Sequence, residues 1–531
     1  MGLPQFRQKK PAAVTPGMRR REVLAAAALG AVAGPQCALA AASGSGPAGQ
    51  LTWALHVSLA TTWFDPADTQ ALITPFMVLY ALHDAIAKPM PGSTAAPSLA
   101  EAWSMAEDGL SWDFTLRDGV KFHNGEPVTA ADVKFSFERY RGASHDLMKE
   151  RVAAIEAKDA RHVRFQLKQP WPDFLTFYST ASGAGWIVPK KYVEKVGDDG
   201  FRKHPIGAGP YKFVSYTPGI ELVLEAFDGY WRKTPSVKTL VMRVIPEEST
   251  RLAALKHGEV DIAYSIRGDL ARELQQTAGL SLKSVVLQAT NWVYFPDQWD
   301  PKSPWHDLRV RQAATLALDL NAMNEALFLG GCKINNSIVP ESFDYYWQPP
   351  PAVYDPVKAR KLLADAGHAN GFDAGTFYVD ASYSNIGEVA VDYFQQVGIR
   401  TKLQPVERAG FLSAFAAKKY THGILRGASG AFGNAATRMA SFVVKDGPYA
   451  YGSYPDIDEL YPQQAAELDP KKRAAVLEKM QRLVHEKAMF APLWELAFIN
   501  GVGPRVGENS LGKIAGFPYT APFEDLTLKG A

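Results

Sequence analysis

Apolar and polar positions divide this chain into short alternating runs and longer runs at helical spacing. The clearest stretch is residues 99–140, LAEAWSMAEDGLSWDFTLRDGVKFHNGEPVTAADVKFSFERY. Trp112, Phe114 and Leu116 alternate with polar neighbours there, as one buried face of a strand requires. Asp108-Gly109, Asp118-Gly119 and Asn124-Gly125 place glycine where the chain must reverse with positive φ. Thr129 with Asp132 three residues on predicts a capped helix start, and Ala130, Val133, Phe137 and Tyr140 recur at helical spacing. A meander leading into a helix is a folding module and carries no reaction centre.

The same reading extends along the chain. Residues 51–58 form a strand pattern, residues 157–167 a strand pair, and Trp171, Phe174, Phe177 and Tyr178 an aromatic group suited to core packing. In residues 205–231, Gly207 and Gly209 predict a sharp turn before two strands, 211–216 and 220–226, joined at Pro218-Gly219. These glycines precede a strand and Pro210, with no Lys-Ser/Thr after them, so they are not a phosphate loop. A helix over 249–256 closes at Gly258 and leads to a short strand, 260–265. Asp307 caps a helix with Val310, Ala313, Ala314 and Ala317 inside; Asp355 and Pro356 open another, closed by Gly367. Residues 470–489 are an amphipathic helix, and PLWELAFINGV after it would return the chain to the first lobe.

The first forty residues follow different rules. Arg19, Arg20 and Arg21 precede an apolar run, 23–33, too short to span a bilayer, and Ala38-Leu39-Ala40 is a small-residue cleavage site. They read as an export signal of twin-arginine character, cut near Ala40, with residues 41–49 a flexible leader. Losing residues 1–40 takes 57 basic and 55 acidic side chains to 51 and 54, a net −3. The apparent basicity therefore belongs to the signal, and no electrostatic case for nucleic acid remains. Of two cysteines only Cys332 remains, which rules out an intramolecular disulfide. The rest is too long for one core, since single cores stop growing near about 250–300 residues.

Enzymatic signatures are missing. His485-Glu486 lacks the second His of a zincin helix, and no GxSxG elbow, Walker loop or paired-Cys metal motif occurs. We expect no catalytic residues, no cofactor and no metal site.

Residues 99–140 resemble the signature region of the family 5 extracytoplasmic solute-binding proteins, the peptide, nickel and opine receptors of ABC importers. PIGAGPYKF, LAALKHGEVDIA, DLRVRQAATLALD, YDPVKARKLLADAG and Gly398-Ile399-Arg400 resemble further motifs of that family. The resemblance implies an α/β fold: a two-lobed periplasmic-binding-protein fold of the large class with an extra subdomain. Lobe I is expected from residues 50–75, 205–285 and 500–531, the inserted subdomain from 76–204, and lobe II from 286–499. Function would be capture of a peptide or peptide-like solute by hinged lobe closure, for delivery to the membrane subunits of an ABC permease, by a periplasmic monomer. A non-peptide anionic solute (opine, organic acid or glycan) or chemosensory use are the alternatives.

Candidate ligand contacts follow from the same resemblance. Asp65-Pro66 fits the family's first loop, which would put Thr62 and Trp63 at a strand's carboxyl end, although Trp63 also fits a core position. Trp186, Trp292, Tyr294 and Trp494 lie near expected lobe edges or crossings, where rings can line a pocket or fill a core. Peptide receptors of the family commonly anchor the α-amino group on an Asp in a W-x-A-D-Y segment. The matching residues 423–442, GILRGASGAFGNAATRMASF, contain no acid and instead offer Arg426 and Arg438, side chains suited to a carboxylate or phosphate. An anionic group on the solute is the corresponding expectation.

Overall fold

The computed structural model describes residues 46–69, 74–142, 144–181, 183–429, 433–514 and 516–530. The expected export signal and residues 41–45 of the leader lie outside them. The first strand, Ala48–Leu55, begins inside the stretch read as leader, because Ala48 already pairs with Val237.

Two long antiparallel strands, Ser281–Tyr294 and Phe490–Val502, carry the architecture. The second is apolar almost throughout and buried along nearly its whole length, as a strand covered on both faces must be. Together they join two half-sheets into one sheet of eleven strands. On the lobe I side lie Ile262–Ala263, Ala48–Leu55, Val237–Val244, Glu221–Ala226 and Tyr211–Thr217 in that order; on the lobe II side lie Gly423–Ser429, Phe372–Asp380 and Ile399–Val406, and the eleventh, Lys333–Ile334, pairs with Phe490–Val502 off this path. Each half contains parallel pairs, with the helix Glu248–Lys256 as crossover in lobe I and Ser384–Val397 in lobe II. The ladder between the long strands is regular from Ser281↔Val502 to Val286↔Ala497. It then shifts between Val286 and Thr290 and again between Thr290 and Trp292. Backbone pairing is weakest where the chain passes from one lobe to the other.

Separate cores match this division. Lobe I packs around Trp53, Phe64, Tyr80, Trp186 and Tyr211, and the returning C-terminal segment adds Phe517, Phe523 and Leu526. Lobe II packs on the two faces of its half-sheet, around Val293, Trp305, Phe377 and Trp494 on one and Trp292, Tyr294, Phe415 and Phe490 on the other. The inserted subdomain has a four-stranded antiparallel sheet in the order Ala100–Met105, Ser111–Leu116, His162–Leu167, Val152–Ala157. Its core holds Phe114, Phe137, Phe165, Phe174 and Tyr178, the last two stacked at 5.2 Å. The turn glycines 109, 119 and 125 all have positive φ, and Thr129 and Asp132 form the capping box that the pattern predicts.

Gly207 and Gly209 serve close approach rather than a positive-φ turn. A side chain on either would strike the Leu82 backbone carbonyl group. That approach lets His123 sit between two motifs distant in sequence: its Nε2 donates to the Gly209 carbonyl at 3.0 Å and its Nδ1 accepts from the Gly207 N–H at 3.2 Å. Both ring nitrogens are thus committed to one neutral tautomer.

The lobes also meet through side chains. Asp173, in the inserted subdomain, receives a two-pronged ion pair from Arg473 of lobe II at 2.7 and 2.8 Å, with Arg473 only 2 % exposed. Asn434 donates to the same carboxylate, and Thr94 reaches Asp344 nearby at 3.4 Å.

Two outcomes are expected. Burial pushes His83 and His123 down from 6.5 to about 4 and about 3. Between those values and 6.5 the unfolded chain binds more protons than the folded one, so stability falls as pH drops through that window. Denaturant midpoints should be flat above pH 7 and decline below 6.5, and His123→Gln should reduce the decline. Asp173→Asn removes charge-assisted bonds worth roughly 1.5–3 kcal/mol and should enlarge the radius of gyration of the solute-free protein in X-ray scattering. An unchanged radius would show that the pair does not hold the lobes together.

Candidate functional site

Where the two long strands change register they wall a cavity of about 280 Å3. Leu287, Ala289 and Asn291 line it from one strand, Leu496 and Phe498 from the other, and Thr74 and Tyr519 from lobe I. Lobe II adds Asp380 from the end of its strand Phe372–Asp380, Arg426 and Ala428 from Gly423–Ser429, and Phe411 and Phe415 from the helix Arg408–Ala416.

Strand parity decides which side chains enter. Gly423–Ser429 pairs with the first long strand in the register Val293↔Arg426, Trp292↔Gly427 and Asn291↔Ala428. Successive residues face opposite sides. Arg426 and Ala428 therefore share the cavity side, while the Trp292 indole covers Gly427, where a side chain would collide with Nε1. Trp292 and Tyr294 lie in the lobe II core, Trp292 against Phe442 and Phe490, Tyr294 stacked on Phe490 and accepting from the Tyr451 N–H at 3.0 Å. Trp494 is buried against Phe328, and Trp186 against Phe76 and Tyr80 in lobe I. Trp63 packs partly on the lobe I core, and Thr62 is exposed on the turn Thr61–Phe64. None of these six lines the cavity, because each ring has an apolar neighbour to cover it and Thr62 faces outward.

The two arginines differ. Arg426 is 2 % exposed; its guanidinium lies over the Tyr383 ring at 4.0 Å, its Nη2 donates to Asn291 Oδ1, and its Nε has no hydrogen-bond partner. Burial lowers it to about 10, which leaves it cationic at neutral pH, and among the described residues no carboxylate pairs with it. The nearby acid, Asp380, is occupied: it receives Arg408 at 2.7 Å and the Ser382 N–H at 3.0 Å. Arg438 is equally buried but does not line the cavity. It donates to Ser429 Oγ and to the carbonyls of Gln288 and Ser429 at 3.1 and 3.0 Å, tying its helix, Ala435–Phe442, to the long strand at the irregular step. Burial lowers it to about 9.

Asp380, Tyr383, Arg408 and the Phe411–Phe415 pair were not among the sequence candidates. Asp380 alone had a readable signal, an acid at a strand's carboxyl end, where open α/β sheets bind ligands. Among the described residues no group of three His, Cys, Asp or Glu side chains is placed to hold a metal ion. Cys332 is buried and its thiol is pushed up to about 12, far from a reactive thiolate.

Comparison with known proteins agrees with this architecture. The dipeptide-binding protein of Escherichia coli strain K12 is 28% identical over 431 residues, 74% of this chain and 79% of that protein. The crystal structure of the ABC transporter substrate-binding protein CtaP from Listeria monocytogenes has a TM-score of 0.76 at 21% identity, covering 91% of this chain and 99% of that one. The structure of MoaA from A. tumefaciens R10 in complex with mannopinic acid has a TM-score of 0.65 at 25% identity, covering 91% and 99%. The model of the bacterial extracellular solute-binding proteins, family 5 Middle, matches residues 94–450. With more than half its length matched, this chain belongs to the bacterial extracellular solute-binding proteins of family 5.

Proposed function

We propose that this protein is the solute receptor of an ABC importer, exported by its N-terminal signal to the periplasm and cut near Ala40. It captures a peptide or peptide-like solute between its lobes and delivers it to the membrane permease. One observation carries the reading: the cavity takes its lining from both lobes and from the two strands that join them, so a solute held there contacts every part that must move on closure. A solute shifts the open–closed balance only by as much as it binds the closed form better. The dipeptide-binding relative supports a peptide-class solute, and the mannopinic acid complex shows that the fold also holds an organic acid. Among the described lining residues no group calls for covalent chemistry, and a receptor needs none.

The test is thermal unfolding and small-angle scattering of the mature protein, refolded free of solute, against di- to pentapeptides, opines, organic anions and glycans. A solute at about a hundred times its Kd adds roughly 2.7 kcal/mol, a rise of a few degrees in Tm, and should contract the protein. If no solute does both, the receptor reading fails.

A further inference from the structure

The charged groups on the cavity wall constrain the solute more tightly than the family does. Among the described lining residues only Arg426, Arg408 and Asp380 are charged, a sum of one positive unit. Arg408 and Asp380 neutralise each other at 2.7 Å, so the uncompensated charge sits on Arg426. That guanidinium is held flat on Tyr383 and fixed at one corner by Asn291, with a buried Nε that bonds to nothing. A cation so buried is costly unless a counter-charge meets it, and a planar fork is suited to a carboxylate.

The rest of the wall is uncharged and mostly apolar, with Leu287, Phe411, Phe415, Leu496 and Phe498 beside the polar groups of Thr74, Asn291, Tyr383 and Tyr519. Resting on the receptor reading above, we propose that the solute is a small monoanion, one carboxylate on an uncharged apolar body, with the carboxylate on Arg426. N-acylated amino acids and aryl or alkyl carboxylic acids share this chemistry. A dianion would leave a net negative charge in a mostly apolar cavity. A free ammonium group, as on a dipeptide or an amino acid, finds no unengaged acid, since both Asp380 oxygens already accept hydrogen bonds, from Arg408 and Ser382. A volume of about 280 Å3 lies just below the roughly 300–1,000 Å3 usual for ligand cavities, which suits a small solute.

Calorimetry on the solute-free mature protein tests this with four probes: N-acetyl-phenylalanine, 4-phenylbutanoate, N-acetyl-phenylalanine amide and the zwitterionic dipeptide Ala-Phe. The two anions should bind at least 30-fold more tightly than the amide and the dipeptide. Arg426→Gln should weaken both anions by at least 30-fold, leave the amide unchanged, and give a solute-free Tm no lower than that of the parent. A merely structural arginine would lower that Tm. Anion binding that is matched by the amide or the dipeptide, or that survives Arg426→Gln, overturns the proposal, as does failure of both anions to bind. If Ala-Phe alone binds and contracts the protein, the solute class is wrong and the receptor reading stands.

Discussion

Everything in this molecule depends on two antiparallel strands that belong to both lobes at once. A ladder of backbone hydrogen bonds is stiff along its length, and Ser281–Tyr294 with Phe490–Val502 would by itself weld the half-sheets into one slab. The register shifts around Thr290 interrupt that stiffness at one place. The interruption does two jobs. It concentrates bending where few backbone bonds oppose it, and it opens the wall in which the cavity lies. Side chains then replace the missing regularity: Arg438 grips the Gln288 carbonyl, and Thr290 donates to the Ile338 carbonyl at 2.5 Å. On the proposed reading a hinge and a binding surface share the same residues, so a solute seated there would act on the flexible step without any relay.

Much of this was legible from local rules. Turn glycines, helix caps and apolar periodicity depend on a few neighbouring residues, and the structure honours them at Gly109, Thr129, Asp307 and Asp355. The aromatic residues were harder to place. An indole suits a core and a pocket wall equally well, and only the pairing of Trp292 with Gly427 shows which side of the sheet it takes. Gly207 and Gly209 show the same limit: their need for empty space comes from Leu82, more than a hundred residues earlier. Arg426 could be singled out by the lack of acids around it in sequence, but the stack on Tyr383 and the engagement of Asp380 by Arg408 belong to tertiary structure alone.

The buried charges divide into two kinds. Arg251 and Arg311 are enclosed by backbone carbonyl groups, and Arg473 by a carboxylate and Gln464; each is satisfied and holds segments together. Arg426 has one amide partner and an aromatic face, which compensates a buried cation poorly. A protein tolerates several kcal/mol of such incomplete pairing more readily at a place where a ligand completes it than in a permanent core.

The state of the cysteines has a practical consequence. Beyond residues 1–40 the chain has one thiol, Cys332, enclosed in the lobe II core and held protonated by burial. Maleimide dyes and spin labels will pass it by while the protein is folded. Cysteines introduced at exposed sites on the two lobes can therefore be labelled cleanly, and the distance between them becomes a direct ruler for hinge motion.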